Sequence, residues 1–179
     1  MSIIQLLESY HPSDTYEASM LKDTLTFVHT YANCLERSLT VGHITTSCWI
    51  TDKSRQYVLL THHRKLNKWF QLGGHADGEK DLHKSALKEA KEESGLMNIH
   101  LLTPEIFDVD IHLIPTRKLE PQHYHYDIRF LMEADKNQPL IINHESKDLT
   151  WIAIEKVKLL NSDESILRMV RKHQSMFRV

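Results

Sequence analysis

The chain switches between segments with a helical apolar period and segments that alternate residue by residue. Over 14–36, Leu21, Leu25, Val28, Ala32 and Leu35 recur at helical spacing, with Ser13 or Asp14 placed to cap, so a helix is predicted. Residues 42–51 and 56–62 read as two strands joined at Asp52-Lys53-Ser54, and 68–72 as a short strand entering Gly73-Gly74. Asp81 is placed to cap a run of good helix formers, Leu82, Ala86, Leu87, Lys88, Glu89 and Ala90, which stops at Gly95. Strands follow near 106–113, 123–133 and 149–154. A last helix runs from 162 to 177, capped by Ser162, with Ile166, Leu167, Val170 and His173 on one side. No repeat or low-complexity run interrupts this order. The expectation is one domain over 1–179: a helical extension (1–38), a core (40–157) and a C-terminal helix (158–179).

The helix after the double glycine carries the chemistry. At about 100° per residue, Glu89, Glu92 and Glu93 fall within roughly 100° of arc. Ala86, Leu87 and Ala90 lie to one side, and the two alanines let the helix approach a sheet closely. Lys84, Lys88 and Lys91 form a solvated flank, where Lys88 can pair with Glu92 at i,i+4. Three like charges on one face repel, and a divalent cation would reverse the sign. Mg²⁺ prefers an all-oxygen shell of one or two carboxylates, waters and substrate phosphate. Gly73 and Gly74 suit the other half of such a site, because no Cβ keeps a phosphate from the backbone. A bare Glu-x-x-Glu-Glu is otherwise most often an acidic surface helix.

With Gly74, Gly95 and Leu96 at their offsets, the segment resembles the Nudix box, Gly-x5-Glu-x7-Arg-Glu-U-x-Glu-Glu-x-Gly-U, where U is bulky and apolar. Gly74, Glu89, Glu92, Glu93, Gly95 and Leu96 match; Lys88 stands for Arg and Ala90 for the apolar residue. Lys80 departs from the pattern, which has Glu there, usually paired with the Arg to brace the loop. Two lysines cannot form that pair; Glu79 or Asp81 could replace it. The resemblance implies an α/β/α sandwich with a mixed sheet and an N-terminal helical extension. It also implies metal-dependent hydrolysis of a nucleoside diphosphate linked to another group. By the same match, Glu89, Glu92 and Glu93 are catalytic. Gly73 (through its carbonyl), Glu92 and Glu93 would hold Mg²⁺, with Mn²⁺ as an alternative, and Glu89 would be a ligand or the base that activates water. Alternatives on the same fold are a nucleotide-binding or regulatory module of little or no turnover and a diphosphate isomerase. Cys48, in Thr-Thr-Ser-Cys-Trp-Ile, does not resemble the isomerase cysteine.

Composition narrows the partners. A formal charge of −2 with no basic stripe argues against duplex nucleic acid. Cys34 and Cys48 suggest a reducing compartment rather than a disulfide scaffold. The start lacks a signal-peptide pattern and no run is long enough to span a membrane, so the cytoplasm is expected. The expected partner is a small diphosphate, nucleotide or other, and a homodimer through the N-terminal helix is open.

Histidine is abundant, with 13 residues. In Asp108-Val-Asp-Ile-His112, Asp108, Asp110 and His112 share a face. In His123-Tyr-His-Tyr-Asp127, His123, His125 and Asp127 do. An antiparallel pair turning within 113–122 could set His112 opposite His123, Asp110 opposite His125, and Asp108 opposite Asp127. Facing like charges then need a metal, a ligand or a base. This face is either solvated or a polar floor for substrate, to which Asp108, Asp110, His125 and Asp127 would contribute; a His-x-His-x-Asp strand could also hold zinc. Arg64, Lys68 and His75, flanking the double glycine, are candidate phosphate contacts. Trp69 and Phe70 are expected to be buried, with base stacking as the alternative.

Overall fold

The computed structural model describes residues 1–116, 121–144 and 146–178. Helices α1 (Ile3–Glu8) and α2 (Thr15–Thr30) precede β1 (Gly42–Thr51), β2 (Tyr57–His63), β3 (Trp69–Phe70) and β4 (Leu72–His75). Then come α3 (Leu82–Ser94), β5 (Ile99–Leu101), β6 (Asp108–Ile114), β7 (His123–Ala134) and β8 (Ser146–Ala153). A 3₁₀ turn (Ile154–Lys156) leads into α4 (Val157–Leu160) and α5 (Glu164–Phe177).

The eight strands form one mixed sheet. β1 lies at its centre, parallel to β7 along its whole length and antiparallel to β4 and β2 on the other side. Every residue of β1 is buried, as a strand covered on both faces must be. Its even positions, Ile44, Cys48 and Ile50, join Ile128, Phe130 and Val109 in a core under α1, α2 and α3. On the odd face, Trp49 and Leu131 pack with Phe107, Ile166, Met169 and Val170 beneath α5. The architecture is therefore the α/β/α sandwich with an N-terminal helical extension.

α3 is specified locally as expected. Asp81 accepts from the Lys84 N–H, and Gly95 closes the helix in the left-handed conformation, φ 72°, where a side chain would be strained. Ala86 and Ala90 are fully buried. The helix sits close enough for the Cys48 thiol to reach the Ala86 carbonyl at 3.0 Å and for Thr46 and Ser85 to pair at 2.9 Å.

Four expectations are corrected. The helix predicted over 14–36 stops at Thr30, because successive turns (Cys34 N–H to Tyr31, Glu36 to Asn33, Leu39 to Glu36) redirect the chain. That frees the Cys34 carbonyl to accept from Ile44 and the Leu35 carbonyl to accept from Gly78. α1, secured by a capping box between Ser2 and Gln5, and the three-residue β5 carry too few residues to show a period. α5 is capped at Asp163 rather than Ser162, and its buried side contains Arg168 in place of Leu167. Finally, β6 pairs with β7 two residues away from the expected register: Asp108 faces Arg129, Asp110 faces Asp127, and His112 faces His125. The faces are as expected; Arg129 supplies the counter-charge that makes this register favourable.

Candidate active site

β4 brings Gly73 and Gly74 beside the glutamate face of α3. Gly73 donates its N–H to Glu93 Oε2 at 2.9 Å, which ties that carboxylate to β4. A Cβ on Gly74 would run into the Glu89 carboxylate, with its Cδ only 2.6 Å away, so Glu89 lies flat against bare backbone. On the other side, a Cβ on Gly73 would lie 2.6 Å from the Thr46 carbonyl. Rigid backbone requires glycine at 73, whereas at 74 the bare backbone is what lets Glu89 take its seat.

Glu89 is only 17 % exposed. Burial raises its carboxyl above the ordinary value, Glu92 and Asp77 add to this, and Lys88 opposes it. Lys88 lies 3.5 Å from Glu89 and 3.8 Å from Glu92, the i,i+4 pair anticipated above. Lys88, itself exposed, thus offsets part of the charge of Glu89 and Glu92. A carboxylate that is largely buried, raised and set beside a second carboxylate and open backbone fits a hard divalent cation. The residues that would hold it are Glu89, Glu92, Glu93 and the Gly73 carbonyl.

The loop between β4 and α3 is braced without the Glu–Arg pair of the box. Glu79 accepts from Lys84 Nζ at 2.6 Å and from the Asp81 N–H at 3.1 Å, lashing the loop to the first turn of α3. Arg37 reaches Asp77 at 2.8 Å and His75 Nδ1 at 2.7 Å, and Gly78 N–H binds the Leu35 carbonyl at 3.0 Å. Exposed ion pairs contribute little singly; the backbone bond and the pairs act together.

The polar residues of β6 and β7 lie on the α5 face of the sheet and divide into two groups. Asp108, Asp110 and Asp127 are buried around Arg129, at 3.0, 3.2 and 2.7 Å. Arg168 from α5 adds contacts to Asp108 at 2.8 Å and Asp110 at 3.1 Å. Burial would raise the Asp110 carboxyl, but Arg129, His112 and Arg168 outweigh it and hold it well below the usual range. Asp127 also accepts from Thr45 at 2.9 Å and Ser47 at 2.8 Å. The second group is histidine: His43, His75, His112, His123 and His125 make ring contacts with one another. Burial, reinforced by its cationic neighbours, lowers the His43 imidazole to about 4, and the same causes hold His125 well below its ordinary value.

Arg64 and Lys68 are engaged elsewhere. Arg64 donates to the carbonyls of His144 and Ser146 at 3.1 and 2.9 Å, and Lys68 pairs with Asp163 at 2.8 Å. Trp69 and Phe70 are partly buried and both pack on the core beneath α5. Sequence reasoning missed Arg129, Arg168 and His43. Arg129 extends the odd alternation of His123, His125 and Asp127 by one step and was legible there. His43 opens the buried face of β1. Arg168 has no distinguishing signal, since a buried arginine and a surface one look alike in a helical period.

The NUDIX domain family model matches residues 41–172. No curated protein sequence matches. Solved structures with the same fold include a C. elegans Ap4A hydrolase in a binary complex, 15 % identical with TM-score 0.62, covering 75 % of this chain and 97 % of that one. A NUDIX-family hydrolase from Clostridium perfringens is 24 % identical, with TM-score 0.52 over 75 % of this chain and 97 % of that one. The NUDIX domain of Shewanella oneidensis NrtR, complexed with ADP ribose, is 13 % identical with TM-score 0.54 and covers 98 % and 99 %. The family match spans more than half of the chain and includes Gly73, Gly74 and all three glutamates. The chain thus belongs to the Nudix family of phosphoanhydride hydrolases.

Proposed function

We propose that the protein hydrolyses a nucleoside diphosphate linked to a second group, using Mg²⁺, or Mn²⁺ in its place, at the α3 glutamates. The observation that carries this reading is the convergence of Glu89 and Glu93 on the Gly73-Gly74 backbone, with the exposed Lys88 3.5 Å from Glu89. Glu92, Glu93 and the Gly73 carbonyl would hold the cation. Once bound, it would neutralise phosphate charge and lower the pKa of a neighbouring water. Glu89, displaced from ordinary carboxylate behaviour by burial, is our choice for the group that takes the proton of the attacking water. The oxygen then attacks phosphorus in line, and positioning supplies most of the acceleration. Asp108, Asp110 and Asp127 fit the base role less well. Each is held by Arg129, and the lowered Asp110 carboxyl in particular is a poor proton acceptor.

Substrate would lie against the histidine-rich part of the sheet, where His75 and His125 border it. Arg64 and Lys68 would have to leave their protein partners to reach phosphate. Cys34 and Cys48 are both free and buried, which supports a reducing compartment such as the cytoplasm. Among the described residues, no helix is long and apolar enough to cross a membrane.

The test is a panel of Ap4A, ADP-ribose, nucleotide sugars, coenzymes and oxidised nucleotides with Mg²⁺ or Mn²⁺, read as phosphate released after phosphatase coupling. We expect cation-dependent cleavage of at least one class, abolished by EDTA. Absence of turnover across the panel with both cations would favour a binding module instead.

A further inference from the structure

We infer that His43, His123 and His125 form a site for one transition-metal ion, Zn²⁺ by preference, separate from the glutamates of α3. The three rings come from adjacent strands. β1 and β7 run parallel with His43 beside His125, and His123 lies two residues earlier on the same face of β7. Ring centroids are 5.0 Å apart for His43 and His123, 4.8 Å for His43 and His125, and 5.1 Å for His123 and His125. One nitrogen from each lies within 4.8 Å of the other two. Ligands on one tetrahedral zinc stand about 3.4 Å apart at Zn–N bonds of 2.0–2.1 Å, so modest ring rotations close the site.

His43 is the second, independent observation. It is 3 % exposed, and among the described residues neither ring nitrogen makes a hydrogen bond of good geometry. An unsatisfied buried nitrogen is costly, and a metal bond would satisfy it. The neighbouring ring is already oriented. His123 Nδ1 lies 2.8 Å from the Pro121 carbonyl, which accepts its N–H and leaves Nε2 as the lone-pair atom. That Nε2 is 3.2 Å from Nε2 of His125, a spacing suited to sharing an ion.

The donor set separates this site from the first. Three imidazoles suit zinc and its neighbours in the transition series, whereas Mg²⁺ seeks carboxylate, carbonyl and water. Three nitrogen ligands leave one tetrahedral position for a water or an anionic oxygen. His75, in ring contact with His43 and His125, connects the cluster to Gly74. A phosphate oxygen of a bound substrate is the ligand class that this fourth position would take.

The test uses the full chain, untagged and stripped with EDTA, titrated with Zn²⁺ and with Co²⁺ alone. We expect one equivalent of Zn²⁺ and the visible absorption of tetrahedral Co²⁺. His123→Ala and His125→Ala should each weaken Zn²⁺ binding by more than roughly tenfold, with circular dichroism unchanged; His43→Gln replaces the ring without opening a large cavity. Glu92→Gln with Glu93→Gln should leave the Zn²⁺ stoichiometry at one. Zinc binding that survives the histidine changes, or that disappears with the glutamate changes, overturns the assignment whatever the hydrolytic activity proves to be.

Discussion

Glu17 shows how a single residue can join three elements. It is fully buried at the start of α2, accepts from the Ser13 N–H at 2.7 Å and from the Val109 N–H at 3.2 Å, and pairs with Lys172 of α5. Burial alone would raise its carboxyl. Lys172, Ser13 and Tyr10 outweigh this and lower it to about 2, against 4.5 when free. The folded value is depressed, so the stabilisation is complete above pH 4.5 and is lost as pH falls towards 2. Its size is on the order of 3 kcal/mol. Denaturant titrations at pH 6, 4 and 3 should show wild-type stability falling across this window and a flatter dependence in Glu17→Gln. Parallel curves for the two proteins would mean that Glu17 is not the group responsible. Nothing in the sequence marks Glu17, because Val109 and Lys172 lie far from it along the chain, whereas Glu89, Glu92 and Glu93 declare themselves by spacing alone.

Among the elements, α3 and the turn before it act as one unit. Asp81, Gly95, Ala86 and Ala90 were legible because caps and small-residue faces are local properties. The register of β6 against β7 was not, since it depends on Arg129 meeting Asp108 across the sheet. The loop brace was partly legible: Glu79 takes the expected part, but the Leu35 carbonyl comes from the segment read as helix and Arg37 from just beyond it. The close fit of β4 and α3 makes a specific prediction. In Gly74→Ala the new methyl meets the movable end of the Glu89 side chain rather than rigid backbone. The melting temperature should shift little, while Glu89 is pushed from its seat and kcat falls by roughly tenfold or more. A variant with wild-type kcat would show that the position of Glu89 against Gly74 does not matter for turnover.

At the scale of the whole molecule, the two faces of the sheet divide the work. One is apolar under α1, α2 and α3 and sets the glutamates against the edge of the sheet. The other carries an ion-pair network that binds the sheet to α5 and, beyond it, a cluster of imidazoles. The expectation of a polar floor along β6 and β7 divides accordingly: the aspartates are tied to Arg129, which the alternation of β7 places on their face, and to Arg168, which no periodicity assigns, and the histidines stay together. The proposed hydrolysis depends on the glutamates of α3 as its cation site. Steady-state hydrolysis of whichever panel compound is cleaved, in Mg²⁺, by Glu92→Gln and Glu93→Gln tests it most directly. Both variants should fold as wild type does and lose roughly a hundredfold or more in kcat/KM. Near-normal turnover in both would contradict it.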